Sequence, residues 1–337
     1  MSNKDANEPL VSVIVPIRNE ARTIRRCLEA ILAQDYPAER YEVIVVDGMS
    51  DDGTRQIVQQ FCNADGRVKM LDNPARIVPH AMNIGIEASR GEIVVRLDGH
   101  AFASPDFIMR SVEALLAHDC ECAGGRIISI GVDTWSNAAS LAMSSVFGVG
   151  NSPFRCSDKP GYVDTVAFGA YRKDVLQAVG KFDRELVRCQ DDEYNYRLRN
   201  KGYKIYFDPA IKTEYLCRST FKSLFKQYFQ YGYWKVRVLQ KHPRMMQPRQ
   251  FVPPVAVFML IVLGAFSFAW RTPAIVLGVL SVLYAALSIS FSIRIASSKG
   301  WKFLLILPII FATLHFSYGS GFLCGLVRFA GAWKHEE

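Results

Sequence analysis

The chain has 337 residues, half of them hydrophobic, and a net charge of +8. That provides for one large domain or two modest ones and leaves core formation in no doubt. The charge is segregated, with no Asp or Glu between Glu214 and Glu336, so the basic excess belongs to a tail rich in long apolar runs; such a stretch faces anionic lipid headgroups rather than nucleic acid.

In chain order, Met1 to Pro9 is polar and shows no cleavable signal. Val11-Ser-Val-Ile-Val-Pro16 reads as a first strand, followed by a helix from about Glu20 to Leu32 with Ile24, Leu28, Ile31 and Leu32 on its apolar face. Tyr41 to Asp47 is a second strand, ending in Gly48-Met-Ser-Asp-Asp-Gly53 before a helix through Thr54 to Phe61, with Asp52 as its N-cap or loop brace. Val68 to Leu71 is a third strand, Pro79 to Ser89 a helix, and Ile93 to Leu97 a fourth strand ending in Asp98-Gly-His100. This alternation predicts an α/β fold with a doubly wound, mostly parallel sheet, and sets Pro16, Asp47 and Asp98 on one rim. A carboxylate beside a glycine and an imidazole at a strand end can hold a cation against a phosphate. It can equally form a turn that caps the helix near Ser104-Pro105.

Further on, Cys189 to Arg199 reads as a helix start, with acids in its first turn and Arg197, Arg199 and Lys201 toward its end. Thr220 to Lys235 interleaves aromatics with Lys, the pattern of an amphipathic helix at a bilayer surface. Val252 to Trp270, Pro273 to Ile293 and Phe303 to Val327 carry no charge and predict three membrane helices, with Trp270, Trp301 and Trp333 at their ends. The third holds His315, Gly319, Gly321 and Gly325, and could be broken or lie partly in the interface. Basic residues ahead of the first span and between the second and third belong on the cytoplasmic side. The expected division is therefore 1–215 as a cytoplasmic domain, 216–250 as an interfacial segment, and 251–337 as a membrane domain. The 8 cysteines have no CxxC pair and no zinc-like spacing, as expected of reduced thiols.

The elements VSVIVPIRNE, VIVVDGMSDDGT, AMNIGIEASRGEIVVRLDGHA, FGAYRKDVLQAVGKFDREL and QDDEYNYRLRNKGYKIYFDP resemble, in order and spacing, family 2 glycosyltransferases of the A-type nucleotide-sugar fold. With the tail, the chain is most similar to succinoglycan-type exopolysaccharide glucosyltransferases. The resemblance implies an inverting transfer from a nucleotide-sugar, UDP-glucose or similar, to a polyprenyl-diphosphate-linked saccharide, with membrane lipids and polysaccharide-assembly proteins as partners and no nucleic acid. It sets Pro16, Arg18 and Glu20 at the nucleotide base, Asp47 on a uracil N–H, Arg76, His80 and Asn83 near ribose and diphosphate, and Asp164-Thr165 with Phe168-Gly169-Ala170 at the acceptor pocket. The family's Asp-x-Asp binds Mn²⁺ or Mg²⁺ by its last carboxylate. Here that position is His100, which favours Mn²⁺ and leaves Asp98 on the metal, on the ribose or behind the metal. Gln190-Asp191 stands where the family has Glu-Asp, so Asp191 inherits the role of base. Trp234, in Gln230-Tyr-Gly-Tyr-Trp234, would stack on the acceptor sugar. The His100 and Gln190 departures keep a non-catalytic scaffold open as an alternative, and a polyprenyl-phosphate glycosyltransferase is the enzyme alternative.

Overall fold

A computed structural model describes residues 8–332. It divides into two compact units, Met1–Ile128 with Pro153–Leu216, and Ser129–Ser152 with Cys217–Glu337.

The first unit opens with four parallel strands, β1 (Val11–Ile17), β2 (Tyr41–Asp47), β3 (Val68–Asp72) and β4 (Ile93–Arg96), separated by α1 (Ile24–Leu32), α2 (Thr54–Ala64) and α3 (Val78–Ala88). Their spatial order is β3-β2-β1-β4, the arrangement that alternating strands and helices predict. Every residue of β1 and β2 is buried, which for a strand means that both faces are covered. The register pairs Ile17 with Asp47, so the polar ends of neighbouring strands arrive together. On α1 the buried stripe is Ile24, Cys27, Leu28 and Ile31. The helix starts later than the sequence suggests because the Glu20 carbonyl takes the Thr23 and Ile24 amides as a turn, leaving Glu20 outside it.

After β4 come β5 (Ala101–Ala103), α4 (Phe107–Ala117), β6 (Cys122–Ile130), α5 (Thr134–Met143), α6 (Val146–Val149), α7 (Pro153–Cys156), β7 (Gly161–Tyr162), β8 (Ala170–Arg172), α8 (Lys173–Val179), α9 (Gln190–Asn200) and β9 (Ile205–Leu216). These strands turn the sheet mixed: β8 runs antiparallel to β4 and β6, and β9 antiparallel to β5 and β7. The completed order is β3-β2-β1-β4-β8-β6-β9-β5. Gly125 on β6 lies so close to β9 that a Cβ there would run into the Ile211 carbonyl oxygen. Gly125→Ala is accordingly expected to cost about 1–3 kcal/mol of stability. A thermal melt identical to that of the parent chain would refute this spacing.

The second unit contains α5, α6, α10 (Phe221–Lys241), α11 (Val252–Ser267), α12 (Arg271–Lys299) and α13 (Leu307–Arg328). The 129–152 excursion was read from sequence as part of the first domain; instead the small face of α5 (Ala138, Ala139, Ala142) packs in one cluster with Leu307, Ile310, Phe311 and Leu314 of α13. Segment 216–250 does not stand alone either, since α10 lies against α13 at backbone distance. A Cβ on Gly232 would meet the Tyr318 carbonyl, and one on Gly321 the Phe229 carbonyl. The glycines thus do not break the third apolar stretch; they let a neighbouring helix approach it. His315 donates from Nε2 to the Phe147 carbonyl and accepts the Tyr284 hydroxyl at Nδ1. Three helices, Pro248–Ser267, Arg271–Lys299 and Leu307–Arg328, are long and apolar enough to cross a membrane. Trp270 and Trp301 are exposed at helix ends, whereas Trp333 lies outside the described residues.

Candidate active site

The rim at the carboxyl ends of β1, β2 and β4 is built from two interlocked loops and one polar strand end. In the β1–α1 loop Asn19 adopts a left-handed backbone (φ 57°). Its amide donates to Ser50 Oγ (2.9 Å), its Nδ2 to Asp51 Oδ1 (2.9 Å), and its Oδ1 accepts the Asp51 amide (3.1 Å). Asp52 adds a third tie, accepting the Ala21 amide at 3.1 Å and the Thr54 amide at 3.0 Å. It is therefore a brace, and the N-cap position of α2 belongs to Gly53. Pro16 is buried behind these loops and Arg18 is exposed on them.

Asp47 is engaged by protein partners. Its side chain is fully buried, and the carboxylate accepts the Ser50 amide (3.0 Å), the Ser50 hydroxyl (2.5 Å) and Arg55 Nη1 (2.6 Å). It therefore holds the loop through these partners. The sequence could not reveal this, because the competing donors are three and eight residues away. The neighbouring Asn73, whose amide donates to the Asp47 carbonyl, keeps a buried Oδ1 that no protein group satisfies. Asn83, expected near the donor, pins α3 by exchanging two hydrogen bonds with the backbone of Phe182.

At the end of β4, Arg96 and Asp98 project to the same face because strand residues alternate. Arg96 is only 5% exposed, and its Nε and Nη2 donate to Asp98 Oδ1 at 3.1 and 2.9 Å. Its remaining nitrogen, Nη1, lies against Asp191 Oδ1 in the first turn of α9. One buried guanidinium thus joins the two carboxylates that the sequence pointed to from opposite halves of the unit. Burial pushes the Asp98 carboxyl up, but Arg96, then His100 and Arg188, outweigh it and hold it below the usual carboxylate range. Arg96 and Arg188 were not singled out from sequence. An arginine inside an apolar strand was nonetheless a signal, since a buried cation demands carboxylate partners.

His100 Nδ1 lies 2.8 Å from Glu20 Oε1, and its ring meets Tyr215 edge-on at 5.0 Å. Glu20 Oε2 accepts the Thr23 hydroxyl at 3.0 Å, so Glu20 serves the imidazole rather than lying open at the rim. With Nδ1–H donating to Glu20, the Nε2 lone pair is left for a ligand, a common arrangement behind metal-bound histidines. No cluster of three or more His, Cys, Asp or Glu side chains that could hold a metal occurs among the described residues. The donor set of His100 and Asp98 fits only an ion that brings further oxygen ligands with it.

Around α9, Thr165 donates to Asp192 Oδ1 (3.3 Å) and accepts Asn195 Nδ2 (2.9 Å), which makes it a strut for the helix. Glu193 pairs with Arg197 one turn on. Gln190 is buried. Trp234 belongs to the second unit, packed with Tyr233 and Phe329. Burial pushes the thiols of Cys27, Cys120 and Cys122 up, so none of them offers a thiolate nucleophile.

Residues 12–180 match the glycosyl transferase family 2 model. The chain is 30% identical to the succinoglycan biosynthesis protein ExoA of Rhizobium meliloti, over 75% of this chain and 77% of that protein. It is 27% identical to a dolichyl N-acetyl-α-D-glucosaminyl phosphate 3-β-D-2,3-diacetamido-2,3-dideoxy-β-D-glucuronosyltransferase of Methanococcus voltae, over 96% of this chain and 99% of that one. In fold it is similar to the mannosyltransferase PcManGT of Pyrobaculum calidifontis, solved with GDP-Man and Mn²⁺, with a TM-score of 0.60 and 19% identity over 92% of this chain and 88% of that one. With the mixed α/β unit, the shared rim and these matches together, the chain belongs to glycosyltransferase family 2 and is a glycosyltransferase.

Proposed function

We propose that this enzyme is a membrane-anchored, inverting hexosyltransferase that moves a sugar from a nucleotide-sugar to a polyprenyl-diphosphate-linked saccharide at the cytoplasmic face, in exopolysaccharide or other surface-glycan synthesis. The observation that carries this reading is the Arg96 bridge, which brings a carboxylate of α9 to the strand-end carboxylate of the donor rim. The acceptor class is supported by the two relatives that match most of the chain, one named for succinoglycan biosynthesis and the other for transfer to a dolichyl-phosphate-linked sugar.

In this mechanism Asp191 accepts the proton of the acceptor hydroxyl, whose oxygen attacks the anomeric carbon from the face opposite the nucleoside diphosphate. The carbon–oxygen bond to the diphosphate breaks as the new glycosidic bond forms, so the configuration inverts and no covalent sugar intermediate is needed. Arg96 orients Asp191. Arg188 supplies positive charge beside Asp98, on the side of the leaving group. The clasped loops of Asn19 and Asp51, with Arg18 exposed on them, cover the nucleotide. The orphan Asn73 Oδ1 takes over from Asp47 as the acceptor for a base N–H. Mn²⁺ would be held by His100 Nε2, Asp98 and the diphosphate itself, and would supply charge neutralisation for the departing nucleotide.

Incubating membranes with a panel of labelled nucleotide-sugars and analysing the lipid product tests this reading. A single sugar on a lipid monophosphate would replace it with the polyprenyl-phosphate alternative. No donor turnover with any sugar, metal or acceptor membrane would overturn catalysis. His100→Asp is expected to move the metal preference of nucleotide binding from Mn²⁺ toward Mg²⁺, because a hard carboxylate replaces an imidazole. An unaltered preference in a metal titration would remove His100 from the coordination sphere.

A further inference from the structure

Three helices could cross a bilayer by length and composition, yet they differ in how the protein surrounds them. The most apolar stretches of α11 and α12 are 11% and 6% buried, whereas that of α13 is 50% buried. On the first two, Phe258, Ile261, Phe266, Ile275, Val279 and Val282 stand exposed on stretches without a charged residue, a surface that hydrocarbon satisfies.

What buries α13 decides where it can go. It is joined to α10 at backbone distance through Gly232, Gly321 and Gly325, and the pair is tied at its far end by Gln240 Nε2 donating to the Phe329 carbonyl (2.8 Å). Along its length α10 carries Lys222, Lys226, Lys235, Arg237 and Lys241. Drawing a helix so rich in cations into a bilayer core is strongly unfavourable. Because α13 cannot cross without its partner, it stays out as well. Its contacts with the hairpin agree: within two turns it touches α12 at Tyr284, through His315 and Phe316, and α11 at Pro253 and Val257, through Gly319, while Phe322 meets Phe251 just ahead of α11. A helix that passes from one arm to the other within two turns runs across the hairpin rather than alongside it.

We infer that the chain crosses the bilayer twice, as the α11–α12 hairpin, while α13 lies with α10 at the cytoplasmic membrane surface. Val252 to Trp270 and Thr272 to Ile293 are free of charge and, at 1.5 Å per residue, long enough for a hydrocarbon core of about 30 Å. The cations then distribute as a hairpin requires. Arg244, Arg249, Arg294, Lys299, Lys302 and Arg328 all fall on the cytoplasmic side facing anionic headgroups, and Arg271 alone marks the outer tip. Three crossings would strand Arg328 outside. The inference rests on the membrane placement in the proposed function but not on the chemistry.

Single cysteines introduced into the full-length chain test it, at Ala269→Cys in the hairpin tip and at Gly331→Cys after α13. Both positions are exposed, and nothing lies within 4 Å of a Cβ at Gly331. A membrane-impermeant maleimide should modify Ala269→Cys in spheroplasts and Gly331→Cys in inverted vesicles, as read by peptide mapping to separate them from native thiols such as exposed Cys324. Modification of Gly331→Cys in spheroplasts, or from neither side, would overturn the two-crossing arrangement. So would an Ala269→Cys that reacts only in inverted vesicles. Donor turnover measured on the same membranes reports on the transferase reading independently.

Discussion

Asp191→Asn is expected to lower sugar transfer by roughly 10² to 10⁴ while nucleotide binding stays nearly unchanged. The substitution keeps the size of the side chain but replaces the carboxylate proposed as the proton acceptor with a non-basic amide. The loss should therefore fall on kcat, with the KM for the donor little altered. The guanidinium of Arg96 retains Asp98 as a partner in this variant, so the fold of the rim is preserved. Radiolabelled transfer measured beside nucleotide titration separates these effects. Full turnover in the variant would move the base to another residue.

Arg96→Met should be nearly as damaging, for a different reason. The native side chain is 6% exposed and contacts carboxylates that are 23% and 31% exposed, so its removal leaves two anions facing each other with limited water. Losing hydrogen bonds to charged groups at such a site costs about 1.5–3 kcal/mol in stability. Loss of orientation at Asp191 adds to this, since a displacement of about 1 Å at a reacting group can cost 10²-fold in rate. Arg96→Lys should recover stability before rate, because one ammonium cannot reproduce a fork that serves two carboxylates. A methionine variant that melts and turns over like the parent would show that the bridge is incidental.

The first half of the catalytic unit was legible because its strands are short runs of Val and Ile bounded by polar turns, and because parallel strands buried on both faces leave that mark in one dimension. The position of Asp191 was legible only through resemblance; by composition its neighbours are an ordinary acidic first turn. The partners of Asp47 were not legible, because a strand-end carboxylate looks the same in sequence whether or not Ser50 and Arg55 turn toward it. The antiparallel half was not anticipated, since β7 and β8 have two and three residues and give no periodicity to read. The α5–α6 excursion escaped notice for a related reason. Its alanine-rich face gains meaning only against α13, far away in sequence.

The reciprocal bonds between Asn19 and the Ser50–Asp51 turn have an evolutionary corollary. Neither segment can drift alone, because a new residue at one leaves polar backbone stranded at the other. A lineage that alters one segment would have to alter both together, so their inheritance should be correlated even though more than thirty residues separate them.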